Sequence, residues 1–475
     1  MNIVVGDLET SENNVNMLSV LEASFVIYDD KFREIPNAPP FHATARIRPT
    51  CVPSLGACLT TGITTDKLVG ANNSSFELAT KIHSTLSKWG SYCTIGQNFI
   101  AFDHEVLVRM FHKSLIPDIW LLKKLPRKMM DTLFLARASK LIDNKSLKCE
   151  VSLKGSDLFK LGSLCKMNGI PHENSHSSAG DVQATALLAK LIKERVPKLW
   201  EQGLKIAHKT DSKKFIEKNK IISHVAYFYG KARWYGLKFC FYNNFDYARF
   251  WDLRTSPEDY LNLNYQDLKK ELSKTPKVIR TVKPSKFDIC LTYSYAFNSE
   301  PYSKIGEAEL RRRATILDSN PNFIELIKTI DNDEIQEKQS MDQTELIPEF
   351  RLYKDGFASK KDEETMKLFH KMEWKDRVKL FDRWENKKYA WFNKVLLFEE
   401  RPELLSKPVF NEVRDEFSRR LHTTEDVNWH TFPKFSKELA DYGTKFEKEK
   451  DEKKLQLLNE YDSYVTEMEK KFPKP

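Results

Sequence analysis

The sequence predicts an α/β domain, followed by a smaller domain rich in β-strands and by an α-helical C-terminal domain. Three observations support this order. Residues 1–195 alternate short apolar runs with helical patterns, whereas residues 196–345 contain a segment dense in aromatic and β-branched residues between glycines. Residues 349–475 have only two glycines and carry long helical patterns. A chain of 475 residues has room for two to four such domains.

The first domain is predicted from strands and helices that alternate along the chain. Ile3–Leu8 and Ser24–Tyr28 have the composition of buried strands. Phe76–Trp89 and Asp103–His112 have helical patterns, and Asp181–Glu194 is a strong helix, rich in Ala, Leu and Lys, that stops before a proline. These elements predict a sheet with helices packed against it.

The other two domains differ from the first in pattern. Val225–Trp251 reads as antiparallel strands of a small barrel. Asp331–Thr344 is polar, with two apolar members, and is predicted to be a linker. Beyond it, Met366–Met372 shows helical spacing, and Thr444–Lys454 is predicted to be a solvated helix of alternating charge.

Composition limits the classes of function. Lys plus Arg outnumber Asp plus Glu by 76 to 67, a net charge of +9 that permits a polyanionic partner without establishing one. The seven cysteines form no Cys-x-x-Cys pair, which argues against a zinc ribbon and a disulfide framework and predicts reduced thiols in the cytoplasm. No signal peptide and no membrane span are predicted.

The first motif with chemical potential, Gly6–Thr10, ends the opening strand. Strand alternation puts the side chains of Asp7 and Glu9 on the same face. Two neighbouring buried carboxylates repel each other unless cations neutralise them, and hard oxygen ligands suit Mg²⁺ or Mn²⁺. Asp-x-Glu also occurs by chance in most proteins of this size, but here an apolar strand leads into it.

The second motif runs from Asn98 to Asp103. Asn98 is predicted to lie in a loop, and Asp103 stands at the start of a helix, where the helix dipole favours an anion. A capping aspartate with no catalytic role is the alternative for this motif taken alone.

The third motif runs from His176 to Asp181. Asp181 is predicted to begin a helix, and His176 lies in the preceding loop, which Gly180 makes flexible. A histidine at this position can accept the proton of a water molecule near neutral pH. A solvated histidine with no role is the alternative.

Together, the three motifs resemble the DEDDh exonuclease superfamily, whose patterns Asp-x-Glu, Asn-x3-Phe-Asp and His-x4-Asp occur here in the same order. The resemblance implies two Mg²⁺ ions, with Mn²⁺ possible. It implies that Asp7, Glu9 and Asp181 bind metal, that Asp103 acts largely through water, and that His176 is the general base. Two such cations would neutralise the phosphodiester and stabilise the leaving oxygen.

Four further segments are similar to the bacterial exonuclease I family: Thr61–Thr64, Ile95–Asn98, Leu161–His172 and Leu352–Phe357. The family implies a ribonuclease H-like exonuclease domain with a mixed sheet and flanking helices, then an SH3-like barrel and a helical domain. It implies 3′→5′ degradation of single-stranded DNA to nucleoside 5′-monophosphates, in DNA repair and recombination. The implied partner is the acidic tail of single-stranded-DNA-binding protein. Nothing in the sequence suggests an oligomer, so a monomer is expected.

Candidate binding residues come from this resemblance and from local charge. The expected substrate contacts are Glu9, Thr10, Asn98 and Lys160, with the basic loop residues Lys123, Lys124, Arg127 and Lys128. The expected pocket for the partner's tail includes Lys220, with the basic cluster Arg311, Arg312 and Arg313 nearby. The aromatic residues of the middle domain are either stacking platforms for bases or core residues of the barrel: Tyr227, Tyr229, Trp234 and Tyr235.

Two rival functions stay open at this point. A DEDDh exoribonuclease or a proofreading exonuclease would carry the same catalytic motifs, although those enzymes usually lack the two additional domains. A single-strand-binding scaffold without catalysis would not require the complete acidic set.

Overall fold

The structure, a computed structural model, describes residues 1–172, 177–228, 230–341 and 347–475. Its first part is built on a five-stranded mixed sheet in the order β3-β2-β1-β4-β5. The strands are β1 (Asn2–Thr10), β2 (Val20–Tyr28), β3 (Phe41–Thr44), β4 (Tyr92–Gly96) and β5 (Lys128–Asp131). β1 pairs antiparallel with β2 and parallel with β4, and β4 pairs parallel with β5. The carboxyl ends of β1, β4 and β5 therefore meet at one edge of the sheet.

Nine helices and a short hairpin accompany this sheet in the described residues. The helices are α1 (Leu55–Thr61), α2 (Thr65–Gly70), α3 (Ser75–Lys88), α4 (Asp103–Lys113), α5 (Thr132–Ile142), α6 (Leu161–Asn168), α7 (Ser178–Arg195), α8 (Pro197–Ile206) and α9 (Lys209–Asn219). The hairpin pairs β6 (Glu150–Val151) with β7 (Asp157–Leu158). The prediction that α7 begins at Asp181 is wrong by three residues, because the Ser177 hydroxyl accepts a hydrogen bond from the amide of Gly180 and caps the helix there.

A second sheet, entirely antiparallel, forms the middle of the chain in the order β11-β10-β9-β8-β12. Its strands are β8 (Ile221–Phe228), β9 (Lys231–Tyr242), β10 (Ala248–Asp252), β11 (Ile279–Val282) and β12 (Cys290–Thr292). The helices of this part are α10 (Tyr265–Ser273), α11 (Ser294–Phe297), α12 (Tyr302–Ile305), α13 (Glu307–Ser319) and α14 (Pro321–Met341). The antiparallel strands predicted in Val225–Trp251 are confirmed. The SH3-like character of this sheet stays a prediction.

The predicted linker Asp331–Thr344 is wrong as far as residue 341, because α14 continues through it. Its acidic side chains have partners on the middle domain. The carboxylate of Asp331 pairs with Arg249 at 2.5 Å, and that of Asp333 accepts a hydrogen bond from the hydroxyl of Tyr265 at 2.7 Å. Polar composition here reflects side chains that bind neighbouring elements. Residues 342–344 lie outside the described residues.

The C-terminal part is helical. Its helices are α15 (Lys360–Lys371), α16 (Trp374–Arg377), α17 (Lys387–Glu400), α18 (Lys407–Leu421), α19 (Phe432–Glu449) and α20 (Glu452–Lys471). The predicted single helix Thr444–Lys454 is wrong, because α19 ends at Glu449 and α20 starts at Glu452. Lys450 between them has a φ of 55°, and the Asp451 side chain caps α20 by accepting a hydrogen bond from the amide of Lys454.

The first part packs against both of the others. One buried cluster joins the first sheet, including Val5, to the second, including Trp251, and another joins Leu55 to Phe417 and Tyr461 of the C-terminal helices. The predicted fold class, a mixed sheet with flanking helices and a helical C-terminal region, is confirmed. The proposed domain boundaries stay predictions. All seven cysteines are free, and no described helix has the length and apolarity to cross a bilayer.

Candidate active site

Three carboxylates from two elements converge at the carboxyl edge of the first sheet. Asp7 and Glu9 lie on β1, and Asp181 lies in the first turn of α7, which packs across β1. One oxygen from each of the three side chains lies within 4.8 Å of the other two. Residues separated by more than 170 positions are therefore arranged to hold one cation between them.

Asp103 brings a fourth carboxylate to this edge. It is the first residue of α4 and is buried, and its Oδ1 accepts a hydrogen bond from the amide of Leu8 at 3.1 Å. Leu8 stands between Asp7 and Glu9, so the start of α4 is tied to the strand segment that carries both acids. The hydrogen bond occupies one oxygen of Asp103.

The electrostatics of the cluster indicate a missing positive charge. Burial, together with the charges of Asp103 and Glu9, raises the pKa of Asp7 well above its usual range. Burial and the charges of Asp181 and Glu22 raise the pKa of Glu9 to about 7, and burial raises that of Asp103. Such a group of hard oxygen donors binds either protons or a divalent cation, so the residues present fit a divalent metal.

A histidine contacts the cluster from the loop before α7. The Nε2 atom of His172 lies 2.5 Å from Oδ1 of Asp181, a short hydrogen bond in which the imidazole donates to the carboxylate. His172 was quoted in the family pattern but given no role. His176, the predicted general base, lies outside the described residues.

Glu22 is a functional candidate that the sequence reasoning missed. It faces Glu9 across the β1–β2 pair and accepts hydrogen bonds from the amide and hydroxyl of Ser178 at 3.0 and 2.8 Å. Ser178 is the first residue of α7, so Glu22 sets the position of the helix that carries Asp181. A glutamate inside the mostly apolar strand Val20–Tyr28 was the available signal.

Asp131, at the end of β5, is a second missed residue. Its carboxylate accepts hydrogen bonds from the amides of Asn98, Ile100 and Leu133, each at 3.0 Å. It thereby holds the loop in which Asn98 adopts a φ of 62°. Burial raises the pKa of Asp131 to about 6. An aspartate that ends a short apolar strand was the signal in the sequence.

Two further predicted substrate residues, Thr10 and Lys160, differ in their burial. Thr10 follows Glu9 and is buried, with its hydroxyl donating to the carbonyl of Glu12 at 3.0 Å. Lys160 is exposed at the N-terminal cap of α6. Neither side chain is tied to a carboxylate of the cluster by a hydrogen bond between described residues.

The basic loop before β5 lies at the opposite end of that strand. Lys128 begins β5 and Asp131 ends it, a separation of about 10 Å for three residue steps. Lys128 pairs with Asp211 at 2.8 Å, whereas Lys124 is exposed and lies 3.6 Å from Asp118. The loop residues Lys123, Lys124, Arg127 and Lys128 are therefore not arranged around the carboxylates.

The predicted pocket for a partner's tail contains arginines that already have acidic partners. The side chains of Arg311, Arg312 and Arg313 bind the glutamates Glu307, Glu258 and Glu309, and Lys220 is exposed, with its Nζ 5.6 Å from the centre of the Phe239 ring. An acidic tail would have to compete with those glutamates.

Two of the aromatic candidates are core residues, the alternative that the sequence left open. Trp234 is buried and stacks on Tyr295 at 5.4 Å between ring centres. Tyr235 is buried with the guanidinium groups of Arg254 and Arg280 at 4.8 and 4.3 Å from its ring centre. Neither ring is free to stack on a base. Tyr229 lies outside the described residues.

Comparison with known proteins finds similarity in sequence over parts of the chain. Residues 347–468 match the family model described as the exonuclease I C-terminal domain. Exodeoxyribonuclease I of Buchnera aphidicola subsp. Schizaphis graminum is 31% identical over 185 residues. Two separate comparisons of sequence therefore find similarity to exonuclease I. The aligned part is 38% of this chain and 38% of that relative, so sequence similarity spans well under half of the relative's length.

Solved structures of exonuclease I share the fold along the whole chain. The Escherichia coli enzyme, crystallised with a dT13 oligonucleotide, matches with a TM-score of 0.82 at 21% identity, over 98% of this chain and 99% of that chain. A structure described as SSB/exonuclease I in complex with the inhibitor CFAM matches with a TM-score of 0.81 at 21% identity, over the same shares.

Proposed function

We propose that this chain is a 3′→5′ exonuclease of the exodeoxyribonuclease I type, which degrades single-stranded DNA to nucleoside 5′-monophosphates in DNA repair and recombination. The observation that carries the proposal is the convergence of Asp7, Glu9 and Asp181, within 4.8 Å, beside the buried Asp103. The names of the relatives and the likeness to an enzyme crystallised with a DNA oligonucleotide support the same substrate.

In this proposal, the ions are two Mg²⁺, with Mn²⁺ as a substitute, and Asp7, Glu9 and Asp181 are the ligands, with Asp103 acting through water. Bound cations would neutralise the phosphodiester and stabilise charge on the leaving 3′ oxygen. His176 takes a proton from the attacking water, whose oxygen bonds to phosphorus. The bond from phosphorus to the 3′ oxygen of the preceding nucleotide breaks, releasing a nucleoside 5′-monophosphate.

Hydrogen bonds within the chain hold these ligands in position before a cation binds. Glu22 holds the first turn of α7, Asp131 holds the loop of Asn98, and the amide of Leu8 ties α4 to β1. Ligands supported in this way by hydrogen bonds lose little freedom when a cation binds. Of the expected substrate contacts, Glu9, Thr10 and Asn98 belong to elements of this edge of the sheet.

For partners, we propose single-stranded DNA and the acidic tail of single-stranded-DNA-binding protein. The solved SSB/exonuclease I structure supports the second partner. The tail would bind near Lys220, with Arg311, Arg312 and Arg313 as the basic groups. A cytoplasmic monomer is the form proposed for the enzyme.

The test is release of nucleotides from a 3′-end-labelled single-stranded oligomer, with Mg²⁺ or with EDTA. We expect metal-dependent release by the wild type and a loss of about a thousandfold, or about 4 kcal/mol of barrier, in Asp7→Asn. Asp30→Asn, at an exposed aspartate after β2, is the control that should keep full activity.

Matched RNA and DNA oligomers separate the rivals. Degradation of the RNA oligomer at least as fast as the DNA oligomer would favour an exoribonuclease, since the 2′-hydroxyl decides the preference between RNA and DNA. Tight binding of the oligomer in Mg²⁺ with no nucleotide released would favour a scaffold and contradict the proposal.

A further inference from the structure

A cavity of about 150 Å³ lies between the first and middle parts of the chain, and its lining does not include Asp7, Glu9, Asp103 or Asp181. It is bordered by the loop before β5, the connection between α8 and α9, and residues 284–287. Five of its lining side chains are basic: Lys123, Arg127, Lys128, His208 and Lys209. None of the carboxylates in the described residues lines it.

Two of the lining cations are neutralised from outside the cavity. Lys128 pairs with Asp211 at 2.8 Å, and Lys209 pairs with Asp246 at 2.7 Å. Their charges are balanced by acids that belong to α9 and to the turn between β9 and β10. These two lysines therefore contribute no unpaired positive charge to the cavity.

The other two permanent cations have no such partner. Neither Lys123 nor Arg127 forms an ion pair with a carboxylate in the described part of the chain. Lys123 is half-buried, and its Nζ lies 5.5 Å from the centre of the Trp120 ring. The Nε of Arg127 is buried and has no hydrogen-bond partner among the described residues. An orphaned buried donor costs free energy unless a ligand or water satisfies it.

Burial is the main influence on the protonation of Lys123. Burial, and then the charge of Lys286, lowers the pKa of the Lys123 ammonium to about 8, whereas the charge of Glu105 acts to raise it. Lys286 pairs with Glu105 at 2.6 Å and Lys209 pairs with Asp246 at 2.7 Å, so Lys123 and Arg127 supply the unpaired positive charge at this cavity. An anion inside would balance that charge and accept hydrogen bonds from the unpaired donors.

We propose that this cavity is a phosphate site, distinct from the metal-binding carboxylates. Its volume equals that of about five water molecules, enough for one phosphate group. The side chains of Leu122 and Phe287 in its wall would cover the apolar part of an attached nucleoside. The phosphate could belong to a phosphodiester of a bound single strand or to a free phosphomonoester. The first source rests on the proposed function, whereas the second does not.

Calorimetric titration of the full chain in EDTA tests the site without turnover. The probes are inorganic phosphate, dTMP and a short single-stranded DNA oligomer. Lys123→Met removes the unpaired charge but keeps the apolar stem, and Lys218→Met, at an exposed lysine on α9, is the matched control. We expect Lys123→Met to bind about tenfold more weakly and Lys218→Met to bind like the wild type.

The pattern across probes identifies the source. Weaker binding of all three probes supports a phosphomonoester site, and weaker binding of the oligomer alone, with a shallower salt dependence, supports a phosphodiester contact. Equal binding by wild type and Lys123→Met, or no binding of any probe, overturns the proposal. Lys123→Gln replaces Lys123→Met if that variant does not fold. Asp7→Asn should retain phosphate binding, so failure of this site and failure of the proposed nuclease are distinguishable.

Discussion

Replacing Glu9 by glutamine should make the metal-free protein more stable while destroying its proposed activity. Glu9 is buried beside Asp7 and Asp181, and no cationic side chain is among the groups that most affect its pKa. Burial and the charges of Asp181 and Glu22 raise that pKa from 4.5 to about 7. Glutamine has nearly the same shape but no charge to repel its neighbours.

The direction and size of the change in folding stability follow from the different protonation of Glu9 in the folded and unfolded states. Above pH 4.5 the unfolded chain releases the Glu9 proton, but the folded protein keeps it until about pH 7. Folding stability therefore falls as pH rises through this window and stays low above it. The full loss at alkaline pH is about 3 kcal/mol. Glu9→Gln should recover up to about that amount at pH 8 and almost nothing near pH 4.5.

Urea unfolding in EDTA, at pH 8 and pH 4.5, measures this difference. Glu201→Gln, at an exposed glutamate on α8, is the control and should change the free energy of unfolding by less than about 0.5 kcal/mol. Adding a divalent metal should reverse the order at pH 8, because the wild type then gains binding energy that the variant lacks. A Glu9→Gln variant that is less stable than the wild type at pH 8 in EDTA would refute the argument.

Two further predictions concern the residues that support the cluster. Asp131→Asn turns one acceptor oxygen into a donor beside amides of the Asn98 loop. It should therefore lower the free energy of unfolding by about 1–3 kcal/mol and reduce kcat. Denaturant unfolding and nuclease assays measure these two quantities, and unchanged values would contradict the role assigned to Asp131. His172→Leu should weaken metal binding about 10–100-fold, because Asp181 loses its hydrogen-bond donor. Titration with Mn²⁺ measures this, and an affinity equal to that of the wild type would exclude a positioning role for His172.

Local pattern predicted much of the fold. The strands around Asp7 and the helices that start near Asp103 and Asp181 were predictable, because apolar periodicity and capping residues act over a few positions. The linker prediction at Asp331 failed for the opposite reason. A polar stretch of sequence predicts a solvated segment, but the acidic residues of this stretch bind Arg249 and other residues far away in the chain.

The candidate site was predicted in part for a similar reason. Motif spacing pointed to Asp7, Glu9, Asp103 and Asp181, whose chemistry is visible in the residue types themselves. Their supports were missed, because Glu22 and Asp131 act by accepting backbone hydrogen bonds whose donors become neighbours only after the sheet forms.

By itself, the sequence determined which residue types stand at the ends of which elements, and so the acidic character of the site and the three-part organisation of the chain. Only the tertiary structure decided that three carboxylates share one centre, that the basic loop lies at the other end of β5, and that Lys123 and Arg127 form no ion pair with any carboxylate that the structure describes. Distances between residues far apart in the chain, and the burial that raises or lowers a pKa, exist only after the elements have packed together.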